Sequence, residues 1–168
     1  MSNTVFSRLI LVSVILVLLA GFWLRASNLA QYPPGISNDE AKNLIDSVYI
    51  AQTGRTSFYE DEGRPEPINR IVSAGASLLY GNSVWAFRLT AAFWGLLAIV
   101  ASYWTATQCF IDTSPHIRKL AGLFAAIALT TALGHITVTR SLYRAVPLTF
   151  FILMAVGFTV RGLRQYHW

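Results

Sequence analysis

Four long stretches without a charged side chain constrain this chain most. They are Leu9 to Leu24, Leu89 to Ile111, Leu120 to Thr139 and Ala145 to Val160. A helix that crosses a bilayer needs roughly 20 mostly apolar residues, and about 17 suffice. The first and last stretches are slightly short, but arginines flank both, and such side chains reach the headgroups and lengthen the effective span. The pattern predicts four transmembrane helices. Composition agrees. Only 12% of the residues are charged, against about 25% in soluble domains, which leaves too little polar surface to cover a soluble globule.

The first stretch is longer than the apolar core of a signal peptide, about 7–15 residues, and Arg25 closes it directly. It reads as a retained anchor. The formal charge of +5 comes from residues that flank helices, with no basic run, so topology explains it and nucleic acid is not an expected partner. The one cysteine, Cys109, has no partner for an internal disulfide and belongs to no CxxC or His/Cys spacing. Phosphate-binding glycine loops, GxSxG and HExxH are absent from the sequence.

Arg8, the Arg118-Lys119 pair and the Arg161/Arg164 pair fall on one side of such a bundle. The positive-inside rule makes that side cytoplasmic. The loop of about 26–85 is then external, with the N-terminus inside. The whole of 1–168 reads as a single membrane domain, multi-pass and in the cytoplasmic (inner) membrane.

The external loop holds seven of the eight acids. It opens with Tyr32-Pro33-Pro34-Gly35, which cannot continue a helix. Two amphipathic helices are predicted after it. One runs from Ser37 to about Thr53 and ends at Gly54; the other runs from about Ile68 to Tyr80 and stops at Gly81-Asn82. Both are expected to lie in the bilayer interface, apolar side down and polar side outward, above the spans. The fold class is therefore all-α and integral to the membrane, with four transmembrane and two interfacial helices.

Within this loop, Ser37-Asn38-Asp39-Glu40 has the form of a capping box, with Ser at the N-cap and Glu three positions on. Asp39 in the first turn suits the helix dipole. The same Asp39 and Glu40 also suit a second reading, a carboxylate that accepts a proton from a hydroxyl at the membrane surface. Lys42 lies one turn from Asp39, placed for a phosphate or for a surface pair. Glu66 is held between Pro65 and Pro67, as an ordinary helix start or as a ligand. Arg88, Arg140 and Arg144 all fall at external helix ends. Each alone reads as a headgroup anchor; together they would neutralise a phosphate leaving group, which the guanidinium fork binds in two places. His135 lies within the third stretch, where a polar group faces the bundle or a wet cavity.

The order of these features resembles a known family. The anchor is followed by Pro33-Pro34-Gly35 and Asp39-Glu40-Ala41-Lys42, then by Gly63-Arg64-Pro65-Glu66-Pro67. Next come Gly81-Asn82-Ser83-Val84-Trp85-Ala86-Phe87-Arg88 and the segment from Gly134 to Ala145. The chain resembles the N-terminal part of GT-C glycosyltransferases, nearest to protein O-mannosyltransferases and lipid A aminoarabinose transferases. The resemblance implies an inverting transfer of a sugar from a polyprenyl-phosphate donor to a hydroxyl acceptor at the external membrane face. It carries the catalytic carboxylate onto Asp39, with Glu40 beside it. Lys42, Glu66, Arg88, Arg140 and Arg144 become substrate-binding positions. A divalent metal is left open as a cofactor. Family members carry many more spans, so the chain is expected to be an N-terminal portion that works with a missing C-terminal part or a partner subunit. The competing expectation is a non-catalytic small membrane subunit, or an inactive fragment, that packs against a larger complex. The fate of Asp39 separates the two: an enzyme needs it facing an open polar space near Arg88.

Overall fold

A computed structural model describes residues 3–55, 67–143 and 145–165. All regular structure among them is helical, with no strand. In chain order the helices are α1 (Asn3–Ala26), α2 (Asn38–Thr53), α3 (Pro67–Tyr80), α4 (Val84–Cys109), α5 (Pro115–Thr131), α6 (Leu133–Val138) and α7 (Val146–Gln165). α1, α4 and α7 are long and apolar enough to cross a membrane.

α4 is the central helix and packs against α1, α3, α5 and α7. Its buried positions are rich in small residues, among them Ala86, Ala91, Ala92, Gly95, Ala98, Ala101 and Ser102. Small side chains let helix backbones approach closely, which is how helices associate where lipid removes the hydrophobic drive between them. Gly95 shows how close this is. A Cβ there would stand 2.9 Å from Arg25 Cδ and from Thr139 Cβ. Trp94 fills the other side of α4, stacked at a tilt on Phe150 and Phe151 of α7.

The third charge-free stretch does not form one crossing helix. α5 begins at Pro115, before Leu120, and stops at Thr131, and α6 follows as a separate short turn. Ala132 between them is extended, at φ −65° and ψ 105°. Two physical causes coincide. Thr130 and Thr131 are poor helix formers and Gly134 is poorer still. The carbonyls of Leu129 and Thr130 are also bonded by Arg25 of α1, so the helix can end there without orphaning them. At roughly 1.5 Å per residue, the 17 residues of α5 cover a little less than a hydrocarbon core of about 30 Å.

The loop helices match the sequence in extent and differ in which face they bury. α2 starts after Ser37, whose Oγ accepts from Glu40 N at 3.2 Å, and ends on Gly54 in the left-handed region at φ 65°. In both helices the polar stripe points inward: Glu40, Asn43 and Ser47 of α2, and Asn69, Ser73 and Ser77 of α3, are all buried. The apolar stripe of α3 faces out, with Ile68, Ile71, Leu78 and Leu79 exposed. This corrects the expectation of outward polar faces. The bundle end beneath these helices offers backbone carbonyls, a guanidinium and hydroxyls, such as Thr90 Oγ1 at 2.9 Å from Ser73 Oγ, and buried polar groups need such partners.

Candidate functional site

The site is built where α2 meets the start of α4 and the segment after α6. Asp39 and Glu40 are adjacent, so on a helix they point about 100° apart. Glu40 turns inward. Its carboxylate accepts from Arg88 Nε at 2.8 Å and from Arg88 Nη2 at 3.0 Å, with both side chains almost fully buried, at 2% and 1% exposure. Leu142 N–H adds a third bond to Oε1 at 3.2 Å. Only half of a capping box forms: Ser37 caps the helix, but Glu40 is committed to Arg88.

Arg88 also donates to Leu29 O and Pro33 O through Nη1, at 3.0 and 2.9 Å, and to Gly35 O through Nη2, at 2.6 Å. A guanidinium has five N–H donors, and these five bonds use all of them. Arg88 therefore clamps the 29–35 loop and the start of α2 to α4, and keeps no donor for a phosphate.

Asp39 has the opposite fate. It is exposed, and no described residue bonds its carboxylate. Lys42 is likewise exposed and makes no ion pair with Asp39. One turn further on, Asp46 pairs with Arg70 of α3 at 3.4 Å. The outer face of α2 thus presents a free carboxylate and a free ammonium a turn apart, on a helix whose inner face is fixed.

Arg140 lies just beyond α6. Its Nη1 donates to Leu24 O at 2.7 Å, and its Nη2 to Ser27 O at 2.6 Å and Tyr32 O at 3.3 Å. Leu24 O is a carbonyl that the last turn of α1 leaves unpaired; Ser27 and Tyr32 lie in the segment after it. Three bonds leave Nε and one Nη1 proton without an acceptor among the described residues. Partial burial, and then the like charge of Arg88, lower the Arg140 pKa from its ordinary value. Glu66 and Arg144 lie outside the described residues.

Several residues of the site carried little signal in the sequence. Asn43 donates to Leu142 O at 2.8 Å and Asn69 to Tyr143 O at 3.1 Å. With Glu40 on Leu142 N–H, they hold the 142–143 backbone from α2 and α3. The available signal was the polar stripe of Asn69, Ser73 and Ser77 at i, i+4 and i+8 along an otherwise apolar helix. Arg25, read from sequence as a headgroup flank, is fully buried. It bonds Leu129 O, Thr130 O and Gly21 O, and its Nη2 lies 2.9 Å from His135 Nδ1. Guanidinium only donates, so His135 accepts through Nδ1. No cluster of three or more His, Cys, Asp or Glu side chains occurs among the described residues.

Comparison with curated proteins returned no match. Comparison with solved structures also returned none. A family model described as dolichyl-phosphate-mannose-protein mannosyltransferase matches residues 63–167. The match spans α3 to α7 and includes Arg88 and Arg140; Asp39, Glu40 and Lys42 lie before it. It covers more than half of the chain, and the chain belongs to the dolichyl-phosphate-mannose-protein mannosyltransferase family.

Proposed function

We propose that this chain carries the catalytic loop of an inverting glycosyltransferase, which moves a sugar from a polyprenyl-phosphate donor to a hydroxyl. Family membership suggests a mannosyltransferase-type enzyme. The family description names dolichyl-phosphate mannose as donor and protein as acceptor, and the same classes are proposed here. One observation carries the reading. Of two adjacent acids, Glu40 is consumed by Arg88 and Leu142, while Asp39 stands free on a helix held rigid from behind.

In this reading Asp39 takes the proton of the acceptor hydroxyl. The hydroxyl oxygen bonds to the anomeric carbon from the face opposite the phosphate. The carbon–oxygen bond to the phosphate breaks, and its electron pair leaves on the polyprenyl phosphate. Lys42 and the uncommitted N–H groups of Arg140 offset the charge that develops there. Glu66 and Arg144 complete the substrate-binding set. Arg88 is a positioning residue that fixes α2. The described residues offer no three-ligand metal cage, and no step here runs through a metal.

The setting is part of the proposal. α5 makes a fourth crossing, the exposed apolar stripe of α3 rests in the bilayer interface, and the α2 end lies outside the inner membrane with the N-terminus inside. The test is sugar transfer in membranes supplied with polyprenyl-phosphate mannose, comparing the natural chain with Asp39→Asn, alone and with co-expressed neighbouring proteins. Transfer that the variant abolishes supports the assignment. Equal transfer by the variant removes Asp39 as base. Absence of transfer under every condition favours a non-catalytic packing subunit.

A further inference from the structure

The end of the bundle opposite α2 carries a second polar feature. A cavity of about 610 Å³ opens there between the end of α4, the start of α5 and the end of α7. Sites for small molecules fall at roughly 300–1,000 Å³. Four cations line it: Arg118 and Lys119 from α5, and Arg161 and Arg164 from α7. Asp112 is the one acid in the lining, and Tyr103 and Gln108 add neutral polar groups.

Two of the cations are engaged. Arg164 pairs with Asp112 and donates to Cys109 O at 3.0 Å. Lys119 donates to Ser7 Oγ of α1 at 2.8 Å. The guanidinium groups of Arg118 and Arg161 make no hydrogen bond or ion pair with any described residue. Arg118 and Lys119 also sit early in α5, behind the Ser114 cap. A helix start carries partial positive charge and favours acids, yet the first turn of α5 has none. Cations, dipole and cavity therefore add to one positive field, against a single internal anion, Asp112, that is already paired with Arg164. Ordinary headgroup anchors spread around a bundle; these four converge from two helices on one concavity.

We infer that this cavity binds a phosphate-bearing anion at headgroup level. The forks of Arg118 and Arg161 match phosphate oxygens in pairs. The cavity exceeds what one inorganic phosphate fills, and the Tyr103 ring and Ile111 on its wall suit the glycerol and first methylenes of a lipid. Basic pockets between helix ends are where such headgroups bind. The inference is independent of the transfer reaction, whose residues lie at the other end, so the two readings fail separately.

The test uses the full chain in lipid nanodiscs of phosphatidylcholine doped with phosphatidic acid, with bound lipid read by native mass spectrometry. The natural chain is expected to retain phosphatidic acid over phosphatidylcholine. Arg118→Gln and Arg161→Gln should each weaken retention about tenfold, the loss of a charge-assisted hydrogen bond. Neither guanidinium bonds a described residue, so both variants are expected to fold, which circular dichroism checks. Arg8→Gln, an exposed cation of α1 outside the cavity lining, should change nothing. Displacement by millimolar inorganic phosphate would identify free phosphate as the ligand, and resistance to it a lipid phosphate; both support the site. Undiminished retention in the Arg118/Arg161 double variant overturns it. So does an equal loss in Arg8→Gln, which would reduce the effect to surface charge.

Discussion

Arg25 and Arg140 cap two neighbouring helices, Arg25 the end of α5 and Arg140 the end of α1. Arg25 belongs to α1 and bonds the carbonyls of Leu129 and Thr130 where α5 ends. Arg140 follows α6 and bonds the carbonyls of Leu24 and Ser27 where α1 ends. α1 and α5 lie side by side; α1 gives a cation to the end of α5, and the segment after α6 gives one to the end of α1. A cation near a helix C-terminus is favourable, and more so when partly buried. These two caps set the bundle end on which the candidate site is built.

Removing one of the caps should loosen that end. Arg140→Ala strips the Leu24, Ser27 and Tyr32 carbonyls of their partner. The expected loss is about 0.5–1.5 kcal/mol, the net worth of a hydrogen bond, because the freed acceptors are exposed or part-buried and water can reach them. Chemical unfolding in detergent measures it. Arg140→Lys should recover only part, because a single ammonium cannot span three acceptors in the same fork geometry.

The Glu40–Arg88 pair should be costly to break from either side. A buried ion pair that loses one partner leaves an uncompensated charge, at roughly 3–5 kcal/mol. Glu40→Ala and Arg88→Ala are each expected to destabilise by that order. The Glu40→Ala/Arg88→Ala double variant should cost less than the sum of the single changes. A double-mutant cycle reads this coupling directly, and additive losses would show that the two side chains act independently.

Asp39 should behave in the opposite way. With no described partner to lose, Asp39→Asn is expected to leave the unfolding midpoint unchanged. Sugar transfer should fall by about 10²–10⁴, the usual contribution of a general base. A variant that unfolds earlier would mean that Asp39 is a structural helix cap.

Close packing along α4 predicts a contrast among glycines. Gly95→Ala would drive a Cβ to 2.9 Å from Arg25 Cδ and Thr139 Cβ, and overpacking of this kind costs about 1–3 kcal/mol. Gly157→Ala should be at least as harmful, since its Cβ would meet the Trp104 ring. Gly75 in α3 has open space around it. There the change to alanine should stabilise, by up to about 1 kcal/mol from helix propensity. Thermal unfolding of the three variants tests the ranking.

Hydropathy and local chemistry were enough to determine much of this protein. The charge-free stretches around Leu9–Leu24, Leu89–Ile111 and Ala145–Val160 became α1, α4 and α7, because strongly apolar runs of that length have few alternatives to a helix. Ser37, Gly54 and Gly81 marked the ends of the loop helices within a residue, since capping depends on neighbours close in sequence. What only the tertiary structure decided was which groups are occupied. The halves of Asp39-Glu40 look equivalent in sequence, and a partner 48 residues away took one and left the other. The same holds for α5, which stops where Arg25, over a hundred residues earlier, collects its last carbonyls. It also holds for α2 and α3, whose polar stripes turned inward to a bundle end rich in backbone acceptors. Helix formation is local and legible in the order of residues; the pairing of buried polar groups is long-range, and only the folded chain brings the partners within bonding distance.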